Sequence, residues 1–98
     1  MPLMQIKGKF DLGIVIATPG ALATLGTIEI GTLLMRHHCG DWGDACENSK
    51  ADNEKALLDI PGEEDRLFSV YASISGATIW IITEADRSAT TILLPDEY

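Results

Sequence analysis

Leu67-Phe68-Ser69-Val70-Tyr71-Ala72-Ser73-Ile74-Ser75-Gly76-Ala77-Thr78-Ile79-Trp80-Ile81-Ile82-Thr83 is the stretch on which the fold turns. Two runs of β-branched, aromatic and alternating residues, 67–74 and 78–83, flank a Ser75-Gly76 turn suited to a two-residue hairpin. A third run, 89–94, follows the connection Glu84-Ala85-Asp86-Arg87-Ser88, and Pro95 ends its pairing. The three together predict a β-meander. In the middle run Ile79 and Ile81 share one face and Trp80 and Ile82 the other, so both faces are expected to be covered.

Working back from the meander, residues 10–17 read as a further strand, with Phe10, Leu12, Ile14 and Ile16 on one side, in a central or well-covered position. Thr18-Pro19-Gly20 supplies an N-cap and a proline at the first helical position, opening a short helix that continues over 21–25 and closes at Gly26. Thr27 is placed to cap a second helix. There Ile30, Leu33, Leu34 and His37 follow i, i+3, i+4, i+7 spacing, which turns His37 toward the core, and Gly40 stands where a C′ glycine ends a helix. Asp44 with Glu47 three residues later resembles a capping box for a third helix through Leu58, ended by Pro61-Gly62. On that helix Cys46, Asn53, Leu57 and Ile60 fall near one stripe. A buried Asn53 amide needs partners, and backbone groups of the 40–43 turn are the nearest in sequence. The order β-α-α-α-β-β-β lacks regular βαβ alternation and argues for an α+β domain, with helices packed on one face of a small, mainly antiparallel sheet.

Ninety-eight residues suit one domain, 1–98, with one hydrophobic core. Hydrophobic residues at 46% and charged residues at 22% describe a globular chain rather than a disordered one. Fifteen acids against seven bases, a formal charge of -8, argue against a surface that tracks phosphates, so direct nucleic-acid binding is not expected. No run approaches the roughly 18 apolar residues of a membrane span, and the start Met-Pro-Leu-Met-Gln-Ile-Lys has no apolar leader. A cytoplasmic protein is therefore expected, with Cys39 and Cys46 as free thiols and as a monomer or small homo-oligomer.

The segment His37-His38-Cys39-Gly40-Asp41-Trp42-Gly43-Asp44-Ala45-Cys46 concentrates chemically able side chains. A metal site on His37, Cys39 and Cys46 is one reading, but adjacent histidines on a helix diverge by about 100° and Cys39-x6-Cys46 matches no usual zinc spacing. No cofactor is expected. A second reading is acid–base or nucleophilic catalysis, with His37 oriented by Asp41 or Glu84 and Ser88, Thr90 or Thr91 as the hydroxyl; no nucleophile elbow or phosphate loop accompanies it. A third is structural: His37 fixes a backbone carbonyl, Asp41 and Asp44 cap, and Trp42 packs between helices and sheet, removing about 150–250 Å² from water. Asp86 and Arg87 pair or cap the strand connection, or meet a partner.

Two blocks, His37 to Asp44 with its Gly-Asp-Trp-Gly turn and the run Thr83-Glu84-Ala85-Asp86-Arg87-Ser88, continuing through Thr90-Thr91 to Leu93-Leu94-Pro95, resemble a family of small uncharacterised bacterial proteins. Those proteins are found on plasmids and integrative elements and are described only as plasmid-related. Ala17-Thr18-Pro19-Gly20-Ala21-Leu22, Asn53 and Leu67-Phe68-Ser69-Val70-Tyr71 extend the resemblance over most of the chain. The family pattern varies at the positions of His38 and Cys39, which weakens a mechanism built on those two side chains. The mobile-element setting that the resemblance implies, joined to the -8 charge, suggests a small acidic, non-enzymatic module that binds a protein with a basic surface. An inhibitor of a host defence nuclease complex, anti-CRISPR or anti-restriction, acting by charge mimicry fits that setting. Candidate binding residues are Asp41, Trp42, Asp44, Glu63, Glu64, Asp65, Asp86 and Arg87. The alternatives are the His37 enzyme and a structural or assembly protein.

Overall fold

The structure, a computed structural model, describes residues 8–98. The reading of the first seven residues as a start with no apolar leader lies outside the described residues. Along the chain come β1 (Ile14–Ala17), α1 (Pro19–Thr24), α2 (Thr27–His38), α3 (Glu47–Ala56), β2 (Leu67–Ala72), β3 (Thr78–Thr83), β4 (Ala89–Leu93) and a 3-10 turn over Pro95–Glu97. They form an α+β domain with three helices and a four-stranded mixed sheet in the order β1-β4-β3-β2. β2, β3 and β4 are the antiparallel meander, whereas β1 pairs with β4 in parallel, from Ile14 opposite Ala89 to Ala17 opposite Ile92. Among the described residues no helix is long and apolar enough to cross a membrane.

β1 is shorter than the expected strand over residues 10–17 and lies at an edge, with Ile14 71% and Ile16 47% exposed. Gly13 explains the late start. Its φ is +65°, and a Cβ there would stand 2.3 Å from the Ser88 carbonyl, so the backbone bends against β4 before pairing begins. Phe10 is thereby separated from the strand and instead meets the rings of His37, His38 and Trp42 at centroid distances of 5.2, 5.7 and 6.2 Å.

The helix ends follow local chemistry with four shifts. Thr18 Oγ1 accepts the Ala21 N–H at 3.2 Å and Pro19 occupies the first turn, as expected, but Leu25 rather than Gly26 closes α1. That displaces the next start, so Gly26 is the N-cap of α2 and Thr27 already lies inside it. Gly40, at φ +81°, ends α2 in a Schellman arrangement, with its N–H on the His37 carbonyl and the Asp41 N–H on the Arg36 carbonyl. α3 is capped not by Asp44 but by the Cys46 thiol, which accepts the Ser49 N–H at 3.4 Å. The reason is tertiary: Gly43 bridges Val70 in parallel and the Asp44 N–H bonds the Val70 carbonyl, so the backbone of residues 42–44 is held against β2 and cannot open a helix. α3 ends at Ala56, with Leu57 as C-cap, short of Leu58.

The main core joins Ala21 and Leu25, Leu33 of α2, Tyr71 of β2, Ile79 and Ile81 of β3, and Ile92 of β4. Ile30 and Leu34 lie half-buried against it, so the helical stripe read from spacing is the packed face. Trp42, Ala45, Ala56 and Leu67 make a second cluster. The β2–β3 connection spans residues 73–77 instead of a two-residue hairpin, because the Ser73 hydroxyl accepts the Ala77 N–H and ends β2 at Ala72.

Candidate functional site

The Gly-Asp-Trp-Gly turn and Asn53 share one task, which is to close the outer edge of β2. An edge strand presents unpaired N–H and C=O groups at alternate residues, here Phe68 and Val70. The Val70 N–H donates to the Trp42 carbonyl at 3.2 Å and the Val70 carbonyl accepts the Asp44 N–H at 2.7 Å. One step along, the Asn53 side chain stands in for a neighbouring strand: its Oδ1 accepts the Phe68 N–H at 3.0 Å and its Nδ2 donates to the Phe68 carbonyl at 2.8 Å. The amide is therefore satisfied by β2, not by the 40–43 turn. Asn53→Ala strips both partners from a half-buried peptide group and is expected to cost about 2 kcal/mol in urea unfolding, with faster exchange of the Phe68 amide. Unchanged exchange there would contradict the edge role.

The turn is fastened from several sides. Asp41 Oδ1 accepts the Gly43 N–H at 3.1 Å and Oδ2 takes Arg36 Nε at 2.7 Å; that hydrogen bond holds the Asp41 carboxyl below its ordinary range. The Tyr71 hydroxyl donates to the Asp41 carbonyl, and burial pushes its pKa up to about 12. Trp42, 5% exposed, donates its indole N–H to Glu54 at 2.6 Å. Asp44 is exposed and contributes its backbone rather than its carboxylate.

His37 is fully buried and bonds to hydroxyls, not to the backbone carbonyl expected of it: Nδ1 meets Ser69 Oγ at 2.5 Å and Nε2 meets Thr83 Oγ1 at 2.9 Å. The network assigns its own protons. Thr90 Oγ1 must donate to the Leu12 carbonyl, 2.7 Å away, because a carbonyl only accepts. Thr83 Oγ1 must then donate to Thr90, also at 2.7 Å, and His37 Nε2–H must donate to Thr83. Nδ1 is left to accept from Ser69. Neutral His37 is thus satisfied at both nitrogens, and burial, with His38 and Arg87 nearby adding to it, lowers its pKa to about 3.

This geometry separates the residues that the catalytic reading groups. His37 touches neither Asp41, which is paired with Arg36, nor Glu84, which is exposed; Thr90 is occupied within the network. The His37 side chain has no accessible surface. Cys39 and Cys46 are free thiols, and among the described residues no three His, Cys, Asp or Glu side chains are grouped to hold a metal ion. The Cys46 thiol has a lowered pKa owing to Ser49, consistent with its capping position.

Arg87 and Asp86 do not pair with each other. Half-buried Arg87 donates to the carbonyls of Asp65 (2.7 Å), Glu84 (3.1 Å), Ala85 (3.3 Å) and Ala56 (3.4 Å), tying the end of α3 and the acidic loop to the β3–β4 connection. Asp86 Oδ1 accepts the Ser88 N–H at 3.0 Å and caps its own turn.

What stays outward is an acidic strip. Asp52 on α3 and Glu63, Glu64 and Asp65 on the following loop line one recess of about 240 Å³ together with Lys55. Of these acids only Glu63 joins a salt bridge among the described residues, to Lys55 at 4.0 Å. Asp52 and Asp65 also line a second recess, walled by Phe68, Trp80 and Tyr98. Asp52 and the three aromatic residues were not among the candidates drawn from sequence, since nothing in their spacing joins them; register does, by setting Phe68 and Trp80 on one sheet face. Comparison of the chain with protein-family models, curated proteins and solved structures yields no match.

Proposed function

We propose that this protein is a non-enzymatic binding module whose acidic strip engages a basic surface of a protein partner. In keeping with the resemblance to plasmid-related proteins, that partner is a nuclease complex of a host defence system, and the strip occupies its nucleic-acid channel. The observation that carries the reading is the gathering of Asp52, Glu63, Glu64 and Asp65 around one recess with a single lysine. Like charges held together on a folded surface raise the local potential and steer a cationic partner, an effect that salt screens within about 8 Å at physiological ionic strength. The withdrawal of His37 into the core leaves the conspicuous histidine to stability.

The test is protection of phage or plasmid DNA in a bacterium with an active restriction or CRISPR system. Expression of the protein is expected to raise plating or transformation efficiency. The triple variant Glu63→Gln, Glu64→Gln, Asp65→Asn is expected to lose at least about tenfold of that protection, the effect of removing roughly 1.4 kcal/mol of binding, with an unchanged unfolding temperature. Absence of protection in each system tried, or full protection by the triple variant, would overturn the proposal.

A further inference from the structure

We infer that the recess walled by Phe68, Trp80 and Tyr98 receives a guanidinium group, the side chain of an arginine on the basic partner. The inference rests on the proposed function for the identity of the partner, and on the recess itself for the chemistry. The cavity measures about 310 Å³, at the small end of ligand-sized sites. Phe68 and Trp80 have ring centroids 5.1 Å apart at 81°, and Trp80 and Tyr98 5.8 Å apart at 68°. Rings meeting near right angles make walls rather than a closed stack, and all three line the recess. Buried Ile82 and Asn53, half-buried Ser49 and exposed Asp52, Asp65 and Arg66 complete the lining.

Aromatic faces with carboxylates beside them select a cation over a neutral group of the same shape. Arginine suits this recess better than lysine, because a guanidinium is planar, weakly hydrated and able to lie on a ring while it hydrogen-bonds a carboxylate. The molecule already contains one such contact. Arg66 holds its guanidinium 5.8 Å from the Tyr98 ring centroid and donates to the Tyr98 hydroxyl at 2.6 Å. One cation against two carboxylates leaves the lining net negative. Trp42, by contrast, is buried, packed against the Phe10 and His37 rings and committed to Glu54.

Two tryptophans make the experiment direct, since the indole N–H region of a ¹⁵N-labelled spectrum holds one resonance for Trp80 and one for Trp42. Titration with ethylguanidinium chloride, matched against propylurea as the neutral analogue and sodium chloride as the salt control, is expected to move Trp80 saturably. A dissociation constant on the order of 10 mM suits a lone headgroup. Trp42 should stay still. Propylurea should bind at least about fivefold more weakly. Tyr98→Ala, at a residue 66% exposed, and Asp52→Asn, also at the surface, should each weaken ethylguanidinium binding about threefold to tenfold without altering the fold. An unmoved Trp80, equal affinity for propylurea, or parental affinity in both variants would overturn the inference. The titration needs no partner, so its failure beside intact DNA protection would sink the recess alone, and its success without protection would sink the nuclease reading alone.

Discussion

Lowering the pH from 7 to 4 is expected to remove about 3 kcal/mol of folding stability through His37 alone. The folded-state pKa is near 3 and the ordinary value is 6.5, so between those limits the unfolded chain binds a proton that the folded chain refuses. The stabilisation is therefore fully present above pH 6.5 and is lost progressively as pH falls toward 3. The structural cause is burial of the ring away from water, with His38 and Arg87 nearby adding to it; in the Ser69–His37–Thr83–Thr90–Leu12 chain an added Nδ1–H would also face the hydroxyl now donating to it. Urea unfolding at pH 7, 5.5 and 4 reads the slope. His37→Gln, which has no titrating group, should be less stable at pH 7 but flatter across this range. The ¹⁵N resonances of the imidazole should report the neutral Nε2–H tautomer at pH 5. A His37 imidazole titrating near pH 6.5 in the folded protein would refute the network.

Gly43→Ala is expected to destabilise by at least about 3 kcal/mol, the sum of a disfavoured backbone conformation and lost edge hydrogen bonds. Gly43 sits at φ +66°, and a Cβ there would lie 2.1 Å from the Val70 carbonyl oxygen and 2.6 Å from Tyr71 Cδ1. The first obstacle is backbone in the bridge itself, so relief requires the turn to leave β2. The bonds joining Trp42 and Asp44 to Val70 go with it. Gly62→Ala is the matched control, because Gly62 also has a left-handed φ of +84° but nothing within 4 Å of a Cβ. It should cost only about 1 kcal/mol. Equal losses in the two variants, measured by urea unfolding, would mean that backbone conformation alone accounts for Gly43 and that the contact with β2 is dispensable.

Both predictions concern the conspicuous segment 37–46, and in both the chemistry is structural. Its residue types suggested a metal or catalytic centre, yet the fold uses His37 to hold α2 to β2 and β3, Gly40 to end a helix, and the next four residues to seal a sheet edge. The outward-facing chemistry lies elsewhere. Three of its acids, Glu63, Glu64 and Asp65, were among the binding candidates read from the sequence, while Arg87, another of them, is a clamp on backbone carbonyls.

By itself the sequence determined the features that depend on neighbours within one turn or one pleat. The β3 strand Thr78–Thr83, the inward stripe Ile30, Leu33, Leu34 and His37, the Thr18 cap and the Gly40 helix end all follow from periodicity, side-chain capping and positive-φ chemistry that act over a few residues. Only the tertiary structure decided the parallel, exposed position of β1, the Asn53 clasp on Phe68, the Cys46 cap in place of Asp44, and the meeting of Asp52 and Asp65 with Phe68, Trp80 and Tyr98. Each of these depends on which distant backbone a segment lies against. Asp44 is a good cap until its own N–H is claimed by Val70, twenty-six residues away, and no local propensity of about 1 kcal/mol outweighs hydrogen bonds that close the sheet edge.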